Sequence, residues 1–309
     1  VVITDIIHML FFRCFFYLIV SFKILFPFLA NADSLYDPSV PDQIRIYTVG
    51  KDTRGYFRFL KVAEMDSAPN IHSKFRKKFD ATVAFYEGGT TTFSNAKIRI
   101  AGDWKDHIDT KRNISSLLVK LKTSSIGSIV KFRLLLPRTK KGTNEIFMSI
   151  LMEELGFPVP YRKMVDVSLN DVIHYEAIFE ESPEKEFIER FGFRESPIVE
   201  LDERQLWSNR YWMFDETYCL LKDADNQCPR DGDLRDPTGL THKIDNASFI
   251  KNHNSIIIGL KALNISNVYG GKTFDEVAAK YAAHTLLDHN RKFLYDPIYG
   301  DHWPIYFDG

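Results

Sequence analysis

The chain has 309 residues, of which 45% are apolar, 14% aromatic and 26% charged. That composition excludes a disordered tail and is long enough for two packed lobes or one large α+β domain. Lys and Arg number 40 against 41 Asp and Glu, a net charge of −1. No chain-wide field therefore favours nucleic acid or anionic lipid, and any basic site must be local.

The first 32 residues read as an address. Met9-Leu10-Phe11-Phe12-Arg13 leads into an apolar run from Cys14 to Phe22, then Lys23, a second run from Ile24 to Leu29, and Ala30-Asn31-Ala32. An early charge, an apolar stretch and a small-x-small ending predict a signal peptide over residues 1–32, with Met9 as an alternative start. An uncleaved anchor is the competing reading, and Lys23 interrupts the roughly 20 apolar residues that a span needs. Either reading places the remainder outside the cytoplasm, secreted, periplasmic or at the cell surface, with membrane contact only through the leader. Two cysteines lie beyond it, Cys219 and Cys228. Their short separation suits a loop staple in an oxidising compartment and makes a poor zinc site.

A linker from Asp33 to Asp42 precedes runs at Ile44–Val49, Tyr56–Val62, Thr82–Tyr86 and Ala96–Ile100 that read as strands, with Gly88-Gly89 as a turn. Residues 33–95 are thus expected to form a β-rich N-terminal region. Strands continue at Ser116–Leu121 and Val130–Leu136. Thr143 then stands as cap for a helix from Asn144 to Leu155, ended by Gly156 and Pro158. Strands at Lys163–Leu169 and Val172–Phe179 meet at Asn170-Asp171, a hairpin turn lacking the usual Gly. Ser182, Pro183 and Glu186 form a capping pattern for a short helix. Leu201 to Asn246 reads as a long surface insertion. Helices at about Ala247–Leu263 and Phe274–Leu287 and strands at Lys292–Tyr295 and Trp303–Phe307 close the chain.

Gly-x-x-x-x-Gly-Lys-Ser/Thr, Gly-x-Gly-x-x-Gly, Gly-x-Ser-x-Gly and His-Glu-x-x-His are all missing from the sequence, so phosphate-loop, dinucleotide, hydrolase-elbow and zincin chemistry have no local support. A hydrolase using Asp301 and Asp308 as paired carboxylates rests only on the abundance of acids. What remains is a distributed pattern: Ile98-Arg99-Ile100-Ala101-Gly102-Asp103-Trp104, Ser116 to Leu121, Lys131-Phe132-Arg133-Leu134, Glu154 to Pro160, Tyr175 to Glu181, His289 to Tyr295, and Ile305-Tyr306-Phe307-Asp308-Gly309. In order and spacing this resembles the CotH-type, spore-coat protein-kinase-like family from about Ile98 onward.

The resemblance implies an α+β, atypical protein-kinase-like fold, β-rich at the front and helical at the back, with residues 96–309 as a kinase-like domain that continues past Gly309. It implies transfer of a phosphoryl group from ATP to a protein hydroxyl with Mg²⁺ or Mn²⁺, the acceptor being a coat or cell-surface protein. Lys120 would meet phosphate, with Lys122 the less well-matched choice. Glu181 would pair with that lysine, and Arg99 and Arg112 would add phosphate contacts. Asp308 and Asn290 would hold the metal. Asp288 would be the catalytic base, although the family places that residue four or five positions before the Asn, where this chain has Leu286 and Thr285. The alternative is a catalytically degenerate nucleotide binder, or a structural surface or coat interaction protein.

Overall fold

The computed structural model describes residues 40–68, 70–201, 242–244, 256–265, 267–281 and 291–307. The expected leader, the cysteine pair and most of the long insertion lie outside them. No described helix is long and apolar enough to cross a membrane.

Strand β1 (Gln43–Tyr47) is followed by helix α1 (Gly50–Met65), then β2 (Phe79–Glu87) and β3 (Thr90–Ile100). A two-stranded flap, β4 (Ile108–Asp109) and β5 (Ile114–Ser115), leads to β6 (Leu117–Leu121) and β7 (Lys131–Leu135). Helix α2 (Asn144–Glu154), β8 (Arg162–Leu169) and β9 (Ile173–Glu181) follow. Seven of these strands close into a barrel in the order β1-β2-β3-β6-β7-β9-β8. The seam is parallel, with Ile44 opposite Val167 and Ile46 opposite Leu169. All other barrel pairs are antiparallel.

This corrects the expectation of a kinase-like α+β fold with a helical C-terminal part. The barrel is closed, and the described C-terminal part holds a four-stranded sheet, β11-β10-β12-β13, as well as helices. Its strands are β10 (Ile198–Leu201), β11 (His242–Ile244), β12 (Lys292–Asp296) and β13 (Asp301–Ile305). Its helices are α3 (Lys185–Arg190), α4 (Ile256–Leu263) and α5 (Gly271–Tyr281). Motifs a few residues long report strands and turns, which a barrel and an open sheet share. Closure instead depends on which distant strands pair, and it removes the exposed edges that an open sheet must protect. Residue 95 lies inside β3, so the barrel draws strands from both sides of the expected boundary.

Alternation decides what the barrel encloses, because neighbouring residues of a strand face opposite sides. Ile98 and Ile100 of β3, Val119 of β6, Phe132 and Leu134 of β7 and Phe179 of β9 are buried in one core. The rings of Phe132 and Phe179 stack at 4.6 Å.

Two local expectations change. The segment read as a strand at Tyr56–Val62 belongs to α1, whose buried residues Tyr56, Leu60 and Ala63 recur at helical spacing. Its run of aromatic and apolar residues obscured that period. The short helix begins at Lys185, with no side-chain cap on Glu184. Glu184 is instead drawn to Lys131, and the Ser182 amide donates to the Lys131 carbonyl. The Asn170-Asp171 hairpin forms with both residues in the left-handed region, at φ 54° and 55°. Side-chain bonds hold it without a glycine: Asn170 Oδ1 accepts from the Thr48 amide at 2.7 Å, and Asp171 Oδ1 accepts from the Tyr47 hydroxyl at 3.1 Å.

The helical phase of α1 is testable because Leu60 is buried while Val62 is 41% exposed. Leu60→Ala should lower unfolding free energy by about 3 kcal/mol, as for other buried leucines. Val62→Ala should cost less than about 1 kcal/mol in the same denaturant titration. Equal large losses would put this segment back in an alternating strand.

Candidate functional site

The best-connected buried polar group is Arg162, at the start of β8. Its Nε donates to Glu180 Oε2 at 2.9 Å, its Nη1 donates to Ser149 Oγ at 2.7 Å, and Glu145 Oε1 lies 3.2 Å from Nη2. Nη2 also donates to the carbonyl of Phe307, and Nη1 lies 3.5 Å from that of Tyr306. The Tyr306 hydroxyl donates to Glu145 Oε2 at 3.3 Å. Burial works against the charge on Arg162, but Glu145 and Glu180 outweigh it and hold its pKa above the usual arginine value. A buried cation needs this density of acceptors. The arrangement joins α2, β8, β9 and the two residues that lead into Asp308.

Glu180 is shared. Its other oxygen, Oε1, accepts from Arg133 Nη1 at 3.3 Å, so one buried carboxylate spans two guanidinium groups. The barrel register explains how these groups meet. Arg99 lies opposite Leu118, Leu118 opposite Arg133, Arg133 opposite Glu180, and Glu180 opposite Arg162. These five form a single row across the outer face. The next outward row sets Lys97 opposite Lys120 and Lys120 opposite Lys131. The Phe307 ring lies against this cationic face, 4.6 Å from the Arg133 guanidinium and 4.7 Å from Lys292 Nζ.

Within this face the cations differ in how they are balanced. Lys97 pairs with Asp80 at 2.7 Å, Lys131 with Glu184, and Arg76 with Asp103 at 2.5 Å. Arg99 has no carboxylate partner among the described residues, and its Nη1 donates only to the Ile100 carbonyl at 3.0 Å. Burial, with Arg76 and Arg133 nearby and Asp103 opposing them, pulls its pKa down to about 10. Lys120 is exposed and likewise makes no ion pair among the described residues.

The loop after β3 is shaped by Gly102 at φ +86°, where a Cβ would fall 2.1 Å from the His107 ring. Any side chain there would displace the imidazole. His107 Nδ1 is 2.8 Å from Ser116 Oγ, which accepts from the Leu136 amide at 2.9 Å. The Ser116 proton is therefore available to Nδ1, an arrangement that suits neutral imidazole. Burial lowers the His107 pKa, against Asp106 and with Arg133.

The expected site residues separate. Arg99 and Lys120 share the cationic face, in adjacent rows. Glu181 is buried on the opposite side of its strand from Glu180, where it accepts from Arg190 at 2.5 Å and from the Tyr161 amide at 3.0 Å. Burial raises its pKa, with Arg190 opposing. The expected pairing of Glu181 with a strand lysine is therefore replaced by an arginine of α3, because the odd and even residues of β9 face apart. Asp288, Asn290 and Asp308 lie outside the described residues, among which no group of three or more His, Cys, Asp or Glu could hold a metal ion. Sequence reasoning missed Arg162, Arg133 and Glu145. No local signal distinguishes Arg162 from Lys163, although only the first is enclosed.

No protein-family profile matches the chain, and no curated protein matches it.

Two measurements follow from this geometry. Arg162→Met should cost roughly 3–5 kcal/mol, since it leaves Glu145 and Glu180 buried without their cation. Adding Glu145→Gln and Glu180→Gln should recover part of that loss in urea titrations. The second concerns pH. His107 in the folded chain holds its proton less tightly than the ordinary value of 6.5. Its contribution to stability is thus complete above about 6.5 and declines as pH falls from there toward the folded pKa. Between about pH 7.5 and 5.5 the native chain should lose more stability than His107→Gln. Equal slopes would remove His107 from the titration.

Proposed function

We propose that the outer face of β3, β6 and β7 binds the phosphates of ATP, and that the protein is an exported phosphotransferase acting on a protein hydroxyl. The observation that carries this reading is Arg99, partly buried beside Arg76 and Arg133 and lacking a carboxylate of its own among the described residues. Desolvated cations crowded together are relieved by a multivalent anion, and phosphate accepts several charge-assisted hydrogen bonds at once. Lys120, in the adjacent row, supplies a further point charge. Phosphoryl transfer asks a protein mainly for positioning and for cations where charge develops, which is what such a face offers.

The cationic side chains fit a polyphosphate. Mg²⁺ or Mn²⁺ would spread the developing charge when bound. Asp308 and Asn290 are its proposed ligands, and Asp288 is the proposed base for the acceptor hydroxyl. Arg162 supports this reading indirectly, because it holds the carbonyl of Phe307, the residue before Asp308. The phosphate contacts rest on this local chemistry, and the roles of Asp308, Asn290 and Asp288 rest on the sequence resemblance.

Calorimetric titration of the full chain with ATP, with and without Mg²⁺, tests the reading. Arg99→Gln should weaken binding at least about tenfold, as expected for a desolvated charge-assisted contact. Lys51→Gln, an exposed helix control, should leave it unchanged. Asp308→Ala should abolish the Mg²⁺ dependence. Failure of the folded chain to bind ATP at millimolar concentration, or equal affinity in Arg99→Gln, would sink the proposal. Transfer of labelled phosphate to a protein acceptor, lost in Asp288→Ala, separates an enzyme from a nucleotide binder.

A further inference from the structure

The barrel is closed, but β9 is only partly flanked. β8 pairs with it from Ile173 to Glu180, whereas β7 pairs with it only from Ile178 to Glu181. β7 ends at Leu135, where the chain leaves the ladder and enters the 3-10 turn Pro137–Lys140, which stays close to β9 without pairing with it. Ile173–Ala177 is therefore paired on one side only, and the remaining backbone hydrogen bonds among the described residues do not involve it.

A cleft of about 510 Å³ lies at this gap. Three consecutive residues of β9, His174, Tyr175 and Glu176, line it. Successive side chains of a strand point to opposite faces, so the feature these three have in common is the strand's edge. The lining also includes the apolar residues Ile114 and Leu136. Of its charged lining residues, Asp109 and Arg138 pair with each other, while Asp166, Glu176 and Arg112 make no ion pair among the described residues. Asp166 and Glu176 stand directly opposite each other across β8 and β9, both exposed, with no ion pair among the described residues. Like charges in that position repel unless a cation joins them. Arg112 also lines the cleft and has no carboxylate within ion-pair distance among the described residues. Arg138, by contrast, is held by the Asp106 and Ile108 carbonyls and lies 3.8 Å from Asp109.

We propose that this cleft binds an extended polypeptide segment that adds as a strand to the unpaired edge of β9 at Ile173–Ala177 and sets a Lys or Arg side chain against Glu176, reaching over it toward Asp166. Main-chain hydrogen bonds supply affinity in this mode, and alternate side chains supply specificity. Edge charges also discourage unwanted pairing. Here the Asp109–Arg138 pair balances itself, and the adjacent carboxylates Asp166 and Glu176 outnumber the remaining Arg112, so the edge selects a basic strand and does not merely repel. The proposal is independent of ATP binding.

Fluorescence anisotropy with the full chain and labelled Val-Lys-Val-Lys-Val tests it. This peptide should bind at least about tenfold more tightly than Val-Glu-Val-Glu-Val. N-methylation of its backbone should weaken binding by about tenfold or more, because the donors of the added strand are lost. Asp166→Asn with Glu176→Gln should do the same while circular dichroism stays unchanged, since both side chains are exposed. Equal binding of the two peptides, undiminished binding of the N-methylated peptide or of the double variant, or free lysine competing as well as the peptide would each overturn the proposal. So would failure to bind at millimolar concentration.

Discussion

A guanidinium group without water must be surrounded by acceptors, and in this chain that requirement at Arg162 fixes how the end of the sequence meets the barrel. Glu145 and Ser149 come from α2 and Glu180 from β9, but the Tyr306 and Phe307 carbonyls come from the last described residues. The side chains of those two residues enter different hydrophobic clusters. Tyr306 packs with Met148, Met152 and Phe274, and Phe307 with Phe187, Ile198 and Leu294. A slip of one residue would exchange them and withdraw an acceptor from Arg162. Such networks contribute less to net stability than to making one arrangement unique, because desolvation offsets much of the attraction. What Arg162 provides is registration.

That registration propagates outward through Glu180. Because one carboxylate serves both Arg162 and Arg133, the buried network and the cationic face are two ends of one chain of charges. Phe307 then lies against Arg133 and Lys292. An aromatic face adds no negative charge to Arg133 and Lys292, which pair with Glu180 and Glu200, so Arg99 and Lys120 remain the cations of this face that make no ion pair among the described residues. An acidic residue at position 307 would add a second negative charge beside Arg133, already paired with Glu180, and the face would have less reason to take up an anion.

Much of the local structure could be read from residues alone. The alternation around Ile98, Val119 and Phe132 identified inward-facing positions, and Gly156 marked the end of α2. Failures arose where the deciding partner was distant in sequence. Closure depends on β1 finding β8, more than a hundred residues later, and no composition signals that pairing. In α1 the adjacent aromatics Tyr56 and Phe57 masked a helical stripe. Arg99 and Lys120 are singled out by the resemblance, since a cation amid apolar strand residues is shared by Lys97, Lys131 and Arg133. Glu181 was harder, since Glu180-Glu181 is one dipeptide whose two carboxylates face opposite ways and find different arginines. Arg162 looked like any strand-end charge until α2 and the chain end enclosed it.

β9 is the strand on which these features converge. Its C-terminal half carries Glu180 into the Arg162 and Arg133 network, while its N-terminal half, from Ile173 to Ala177, borders the cleft. Glu176 and Glu180 are four residues apart on one face, about 13 Å at the usual rise of a strand. A segment added to the open edge would lie in line with β7, because β7 occupies that same side of β9 further along. One of its ends would then face Leu135, two residues from Arg133. If both proposals hold, peptide and phosphate sites are neighbours for a geometric reason: β7 stops early, and a strand added beside the unpaired part of β9 points toward the cationic face.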